Sequence, residues 1–354
     1  MEEGNHKSRA YPVAYAFDDI IEEFKRDDFS VNGLPLQIHM DSAKDIQCHC
    51  ACKDFIRSWQ NVYEKSGIPI SSFIDKIEPS RAVHTVSCFL LGLWLYQKSS
   101  TLSGNIIKQL EPFRKFDMSN KNAEYEEFLF AWMLTCVYHD FGYAYEEGSE
   151  AFNDAKTYCQ ELIDEMFHDH LYIPDFTKEY VNKYREYRQC RFSCKDHGIY
   201  GAMKLIKGLR RKRFYNLYKE FYDLAAQTIA CHNMYYCVRG EEFEKCYQTK
   251  GMTELIRDDV NDKRRDYRKH PFLFLLSLVD TIEPTKAFDN YNAIFDVLIK
   301  LEKEHDGAER LIVIPQNGSD EEHLNKYKNA LRDMDTWLTD VEEKDNGFRI
   351  SLES

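Results

Sequence analysis

The sequence contains little glycine and proline, and it contains no long uninterrupted apolar segment. Only 15 glycines and 9 prolines occur in 354 residues, which excludes collagen-like and Pro/Gly-rich low-complexity chains. The strongest apolar run of the C-terminal half, 272–279, is far shorter than the roughly 20 residues that a transmembrane helix needs. No apolar signal-peptide segment follows the polar first ten residues. These absences predict a cytoplasmic protein with no membrane partner.

The sequence is also short of positive charge. Lys and Arg number 47 against 60 Asp and Glu, so the formal net charge is −13. Such a chain is a poor general binder of duplex nucleic acid, because the phosphate backbone attracts clustered positive charge. The 11 cysteines, an odd number scattered among apolar segments, favour free thiols over a disulfide scaffold. Signatures of a P-loop, of a GxGxxG dinucleotide site and of an HExxH zinc protease are missing.

Apolar residues recur at three- and four-residue spacing through most of the chain, which predicts a mainly α protein. The helical pattern continues from about 50 to 305, and its clearest segments are 81–97, 123–139, 197–210, 214–232 and 271–283.

The two ends of the chain have a different pattern. A short strand pair is predicted around Asn32-Gly33, and a strand, a helix and a second strand are predicted at 311–315, 317–341 and 346–352. We therefore expect an N-terminal extension (1–45), a helical domain (46–305) and a small C-terminal α+β appendage (306–354).

Histidine and aspartate occupy unusual places in the helical segments. They lie inside apolar runs or at their ends, where an isolated carboxylate would be very costly to bury unless it were paired or coordinated. Imidazole and carboxylate groups are ligands of divalent metals, and helix-borne ligands can converge in a bundle core. The residues in question are His84, His139, Asp140, His197, His232 and Asp280.

The order H…HD…H…H…D of these residues resembles that of the HD-domain superfamily of metal-dependent phosphohydrolases. The resemblance extends over about 75–290 and implies an HD-type helical bundle with two divalent metal ions. By position, the first ion is expected to bind His84, His139, Asp140 and Asp280. The second is expected to bind Asp140, His197 and His232. Asp140 would then be the bridging and central catalytic residue. The resemblance favours Mn or Fe, while Mg, Co, Ni and Zn stay open.

The implied reaction is hydrolysis of a phosphomonoester or phosphodiester, with a nucleotide or cyclic nucleotide as the favoured substrate, by a metal-activated hydroxide. Lys195 is the first candidate for a catalytic phosphate contact, and Lys286 is the second candidate for phosphate binding. Tyr143 is a candidate to stack on a base or to donate to phosphate. It stands where signalling phosphodiesterases of the superfamily often carry lysine, so only the core chemistry is carried over. The alternative for each lysine is a solvated surface position.

Two other functions stay open. Basic clusters at 207–213 and 263–269, interleaved with aromatic residues, would suit an HD nuclease that holds single-stranded nucleic acid. A non-catalytic sensor would keep the metal pocket, bind a nucleotide and signal through the C-terminal appendage. The sequence leaves a homo-oligomer open as well. The segment Cys48–Cys52 has spacing too tight for a structural zinc site, and the dipeptides His168-Asp169 and His305-Asp306 lie in polar segments.

Overall fold

The computed structural model describes residues 9–26, 30–31, 34–35, 40–59, 74, 77–113, 123–145, 160–168, 172–173, 176, 178–192, 196–209, 218–235, 241–253, 267–316 and 320–353. Its helices include α1 (Val13–Arg26), α2 (His49–Ser58), α3 (Pro79–Lys98), α4 (Ser100–Leu110), α5 (Ala123–His139), α6 (Lys178–Phe192), α7 (His197–Leu209), α8 (Lys219–Cys231), α9 (Glu241–Thr249), α10 (Pro271–Ile282), α11 (Pro284–Phe288), α12 (Ala293–Asp296) and α13 (Glu321–Trp337). The strands are β1 (Tyr11–Pro12), β2 (Ser30–Val31), β3 (Leu34–Pro35), β4 (Val297–Lys303), β5 (Glu309–Pro315), β6 (Val341–Lys344) and β7 (Gly347–Ser351).

Three central helices form the core of the helical body. Helices α3, α5 and α10 bury nearly all of their side chains along most of their length. A helix that is apolar on every side belongs in an interior, so the sequence pattern of these segments explains their position. Prolines at the first position of α3 and α10 help to set where these helices begin. Any polar side chain on these helices is therefore carried into the interior.

The C-terminal part contains an antiparallel sheet with strand order β1-β4-β5-β7-β6. Helix α13 packs its apolar face inward through Leu324, Tyr327, Leu331 and Met334. Strands β6 and β7 form a hairpin whose two turn residues, Asp345 and Asn346, both have positive φ, as a type I′ turn requires. The prediction of a mainly α protein with a small C-terminal α+β part is confirmed.

Two parts of the sheet were not predicted. Strand β4 lies in a segment expected to be helical, although its side chains alternate between more and less buried at its start, as in a half-covered strand. Strand β1 lies in the predicted N-terminal extension and pairs with β4, Tyr11 opposite Ile299. Helix α1 follows directly and buries Phe17 and Ile20 in the core. The extension thus contributes to the core and to the sheet.

Other sequence expectations agree with the structure. Strands β2 and β3 pair antiparallel around Asn32-Gly33, as predicted. Within the described residues, no helix is long and apolar enough to cross a membrane. The described cysteines with placed side chains are all free thiols, in agreement with the expectation of reduced cysteines.

Candidate metal centre

The six candidate ligands come from five helices whose ends and centres meet in the interior. His84 lies in α3 and Asp280 in α10, while His139 is the last residue of α5 and Asp140 follows it. His197 is the first residue of α7, and His232 follows the last residue of α8. All six side chains are buried. The structure therefore brings together every residue of the predicted ligand set.

The first group of candidate ligands lies around Asp280. Its Oδ1 is 2.9 Å from His84 Nε2 and 3.8 Å from His139 Nε2. The two histidine Nε2 atoms are 3.4 Å apart. Cys88, one helical turn after His84, completes a group whose ligand atoms all lie within 4.8 Å of one another.

The second group comprises Asp140, His197 and His232, again with ligand atoms within 4.8 Å of one another. Asp140 lies between the two groups. Its Oδ1 is 3.6 Å from both His139 Nε2 and His197 Nε2, and its Oδ2 is 3.6 Å from His84 Nε2. This is the position expected of a bridging carboxylate, because one oxygen lies between the two groups and the other also faces the first group.

Backbone carbonyls orient two of the histidine rings. His139 Nδ1 donates to the Cys136 carbonyl at 2.7 Å, and His232 Nδ1 donates to the Ile229 carbonyl at 2.6 Å. A carbonyl can only accept, so the proton is on Nδ1 and the Nε2 lone pair faces the site. Burial lowers the pKa of His139 to about 4, against the charges of Asp140 and Asp280, so this ring is neutral.

Some polar atoms of the site are buried with no hydrogen-bond partner among the described residues. They include Asp140 Oδ1 and His232 Nε2. Buried polar atoms are rarely left unpaired, because the desolvation penalty is then uncompensated. Both atoms are acceptors pointing into a group of acceptors, which is the arrangement that a divalent cation satisfies.

His84 differs from the other histidines because a carboxylate holds its second nitrogen. Glu283 Oε2 is 2.7 Å from His84 Nδ1. Burial alone would lower the pKa of His84, but hydrogen bonds to Asp280 and Glu283 outweigh it and raise the pKa to about 9. Glu283 is itself fixed as the N-cap of α11, where it accepts from the backbone N–H and the hydroxyl of Thr285. Carboxylate–histidine pairs of this kind commonly support metal ligands.

Two cations balance the carboxylates. Arg81 Nη1 donates to Asp140 Oδ2 at 2.9 Å, and Lys286 Nζ donates to Asp280 Oδ1 at 2.9 Å. Burial would raise the pKa of each aspartate, but His139, Lys286 and Arg81 hold that of Asp140 well below its usual value. Lys286 and the His84 hydrogen bond do the same for Asp280. Both aspartates are therefore charged in the interior.

Two glycines allow the helix ends to come this close. A Cβ on Gly142 would lie 2.0 Å from the His197 carbonyl oxygen. A Cβ on Gly198 would lie 2.6 Å from the Ile229 carbonyl oxygen and 2.7 Å from the His232 ring. Asp196 begins α7 as an N-cap, with Oδ1 accepting from the Ile199 N–H at 2.9 Å. The second group thus depends on backbone contacts that a larger residue would block.

A cavity of about 430 Å³ opens beside the candidate ligands. Its lining includes Tyr143, His197, Asp280 and Lys286, so the centre is in contact with this space. The ring of Tyr143 stacks on His197, and the Arg81 guanidinium lies 3.7 Å from the same ring centroid.

Not every predicted residue can be placed. Lys286 and Tyr143 lie at the site, whereas Lys195 and most of the basic clusters (210–213 and 263–266) fall outside the described residues. His305 and Asp306 are exposed, and neither they nor the cysteines of 48–52 belong to a metal-capable group within the described part.

Sequence reasoning missed several residues of the site. Arg81, Cys88 and Glu283 are absent from the predicted set, although each lies three or four positions from a predicted ligand and therefore about one helical turn away. Asn233, next to His232, donates to His197 Nε2 at 2.8 Å. Helical spacing from the predicted ligands would have found the first three.

Comparisons of the chain with family models, with curated proteins and with solved structures gave no match.

Proposed function

We propose that this protein is a metal-dependent phosphohydrolase whose centre holds two divalent ions. The observation that supports this most is the position of Asp140, whose Oδ1 lies 3.6 Å from one histidine of each group while its Oδ2 lies 3.6 Å from His84. Adjacent two-metal sites with a shared ligand are suited to hydrolysis of phosphate esters. The order of the ligands along the chain, which resembles the HD superfamily, supports the same reaction.

The residues fit the metals by their chemistry. His84, His139, Asp140 and Asp280 would hold one ion, and Asp140, His197 and His232 would hold the other. Nitrogen and oxygen donors of this kind suit Mn or Fe, and they are also compatible with Mg, Co, Ni and Zn. When bound, the ions would supply Lewis acidity, which activates water and offsets phosphoryl charge.

Cys88 is assigned to packing rather than to the ligand set. Its Sγ lies 3.6 Å from His84 Nε2 and 3.8 Å from His84 Nδ1, so it contacts the side of the ring and not one nitrogen alone. Burial, and then the charges of Glu283 and Asp280, raise the pKa of the Cys88 thiol well above its usual value. In the metal-free protein the Cys88 thiol therefore keeps its proton.

The chain supplies its own groups for the substrate. Arg81 and Lys286 each bond a site carboxylate and keep further N–H donors, so they can turn toward phosphate oxygens beside the ligands. The Tyr143 hydroxyl can donate into the cavity. His197 Nε2 already accepts a hydrogen bond from the Asn233 amide. This hydrogen bond would have to break before His197 Nε2 could bind a metal ion.

Replacing Asp140 by Asn tests the proposal. The variant keeps the shape of the side chain but removes the bridging charge, so we expect metal content to fall below one ion per chain and turnover to be lost. Asp306→Asn is the matched control, because Asp306 also follows a histidine but is exposed. Metal content is measured by mass spectrometry. Product release is measured from nucleotides, cyclic dinucleotides and single-stranded oligonucleotides with Mn²⁺.

The panel also separates the alternatives. Wild-type turnover in Asp140→Asn would contradict the proposal. Cleavage of oligonucleotides that falls steeply with salt would favour the nuclease, since each phosphate contact contributes about one log unit per tenfold change in salt. Tight nucleotide binding by metal-loaded protein without turnover would favour the sensor.

A further inference from the structure

We propose that Lys326 of the C-terminal helix α13 binds a second anionic group of the substrate, so that the substrate is a small molecule carrying an anionic group beside the scissile phosphate. The inference rests on the proposed function for the role of the metal centre. It adds a binding residue from the α+β part and narrows the substrate class.

The cavity beside the metal centre is lined both by candidate ligands and by helix α13. Its lining includes His197 and Asp280 of the centre and also Lys326 and Ala330 of α13. Residues four apart on a helix share a face, so both contribute to one wall. The volume of about 430 Å³ lies in the lower part of the range for small-molecule pockets, roughly 300–1,000 Å³. The wall from α13 makes this a pocket for a small ligand.

Helix α13 is held firmly against the helix that carries Asp280. Tyr327, next to Lys326, is buried, and its hydroxyl donates to the Ile282 carbonyl at 2.6 Å. Its ring contacts Phe288 with centroids 5.1 Å apart. The backbone at Lys326 therefore has a fixed position relative to the metal centre, and only the lysine side chain has to reorient.

The charges around the cavity favour an anion at Lys326. Three cationic side chains of the described residues line the cavity: Arg188, Lys286 and Lys326. Lys286 bonds Asp280 at 2.9 Å, and Arg188 Nε is 3.9 Å from Asp196 Oδ2. Lys326 is exposed at the rim and, in the part of the chain that the structure describes, forms no ion pair with a carboxylate. An ammonium group at the mouth of a pocket attracts and binds phosphate as a point charge.

A buried hydroxyl indicates that the pocket is built for a polar ligand. Tyr184 is fully buried and lines the cavity, and within the described ranges its hydroxyl has no hydrogen-bond partner. Asp196 Oδ2, in the same lining, is also buried and makes no hydrogen bond to another described residue. A phenol that donates and a carboxylate that accepts would together satisfy a ligand that has both acceptors and N–H or O–H donors.

Calorimetric titration with inorganic triphosphate and inorganic phosphate tests the proposal without requiring turnover. Wild type, Lys326→Gln, Lys326→Arg and Lys328→Gln are compared at one fixed excess of Mn²⁺, so that metal binding by the ligand cancels between variants. Lys328 is the matched control, because it lies outside the cavity lining and its charge acts on Glu343. We expect Lys326→Gln to weaken triphosphate binding roughly 5- to 10-fold and phosphate binding less than about twofold, and Lys326→Arg to restore most of the loss.

Unchanged triphosphate affinity in Lys326→Gln, or an equal loss in Lys328→Gln, overturns the inference. Triphosphate binding that depends on Lys326 in a protein without turnover would refute the proposed hydrolysis and retain the binding site. An active hydrolase whose binding is indifferent to Lys326 would refute this inference alone.

Discussion

Tyr143 and His197 stack face to face, with ring centroids 3.8 Å apart and planes inclined by 19°. The Arg81 guanidinium lies 3.7 Å from the same tyrosine centroid. Two groups this close to one centroid must occupy opposite faces of the ring. Both faces of Tyr143 are therefore covered, and of its two predicted roles the geometry favours donation by the hydroxyl over stacking on a base.

Tyr143→Phe and Tyr143→Leu separate the two contributions of this residue. The phenylalanine keeps the stack and removes the hydroxyl, so we expect turnover to fall by about tenfold with unchanged metal content. The leucine also removes the aromatic support of His197, so we expect the second ion to be lost as well. Metal content and turnover are measured on the same samples. Equal metal content in the two variants would contradict a supporting role for the stack.

Glu283→Gln tests the carboxylate behind His84. The amide can still accept a hydrogen bond from Nδ1, but it lacks the charge that makes the ring a stronger donor to metal. We expect Mn²⁺ affinity to fall about 10- to 100-fold, as for other residues that support a metal ligand. The control is Glu302→Gln on strand β4, where the carboxylate pairs with Lys300 away from the site. An affinity loss no larger than in the control would contradict the role.

Metal affinity is expected to rise with pH. In the metal-free protein, hydrogen bonds to Asp280 and Glu283 raise the pKa of His84 to about 9 against the effect of burial. A ligand imidazole must be neutral, so binding at the first position releases one proton below that pKa. Mn²⁺ affinity should therefore increase by about tenfold per pH unit from about pH 6.5 to pH 9 and then level off. A flat profile in anaerobic titrations would contradict this assignment.

The stability of the metal-free protein should pass through a maximum near neutrality. Protonated His84 has a folded-state pKa of about 9 against 6.5 unfolded, so its contribution is complete below pH 6.5 and is lost as pH rises toward 9. His139, which burial holds near 4, costs stability as pH falls from 6.5 toward 4. Urea unfolding in the presence of a chelator measures how the free energy of unfolding changes with pH on each side of this maximum. His139→Gln should reduce the slope on the acidic side, to which buried His197 also contributes, and leave the alkaline side unchanged.

Gly142→Ala should damage the second metal position selectively. The added methyl group would lie 2.0 Å from the His197 carbonyl, so the start of α7 must move away from Asp140. We expect loss of one ion per chain, while the group around Asp280 keeps its ion. Gly104→Ala is the control, since within the described residues no atom beyond its own stretch of helix lies within 4 Å of the added Cβ. Retention of both ions would show that α7 can shift without cost to the site.

The candidate ligands could be predicted from the sequence because each is a polar or charged residue inside an apolar helical segment or at its end. Asp280 stands in the most apolar helix, and His139 and Asp140 end another apolar run, so pattern alone singled them out. Lys326 and Tyr184 carry no such conflict. A lysine on an amphipathic helix and a tyrosine in a polar one have ordinary surroundings, and only the packing of α13 and α6 reveals their common cavity.

The strands missed by sequence reasoning share one cause. Strand β1 has two residues, and β4 follows a long helical region, so neither gives a period-two pattern long enough to outweigh its neighbours. Their pairing depends on the rest of the fold.

The pairing of Tyr11 with Ile299 bears on how the chain folds during synthesis. A nascent chain emerges from its N-terminus, so β1 and helix α1 leave the ribosome long before β4 exists. Contacts between such distant segments form late and slowly, because the intervening chain must first be ordered. Until its packing partners have been made, chiefly helix α3, α1 exposes Phe17, Ile20 and Ile21, which are buried in the finished fold. Chaperone dependence is therefore expected to concentrate on this first helix.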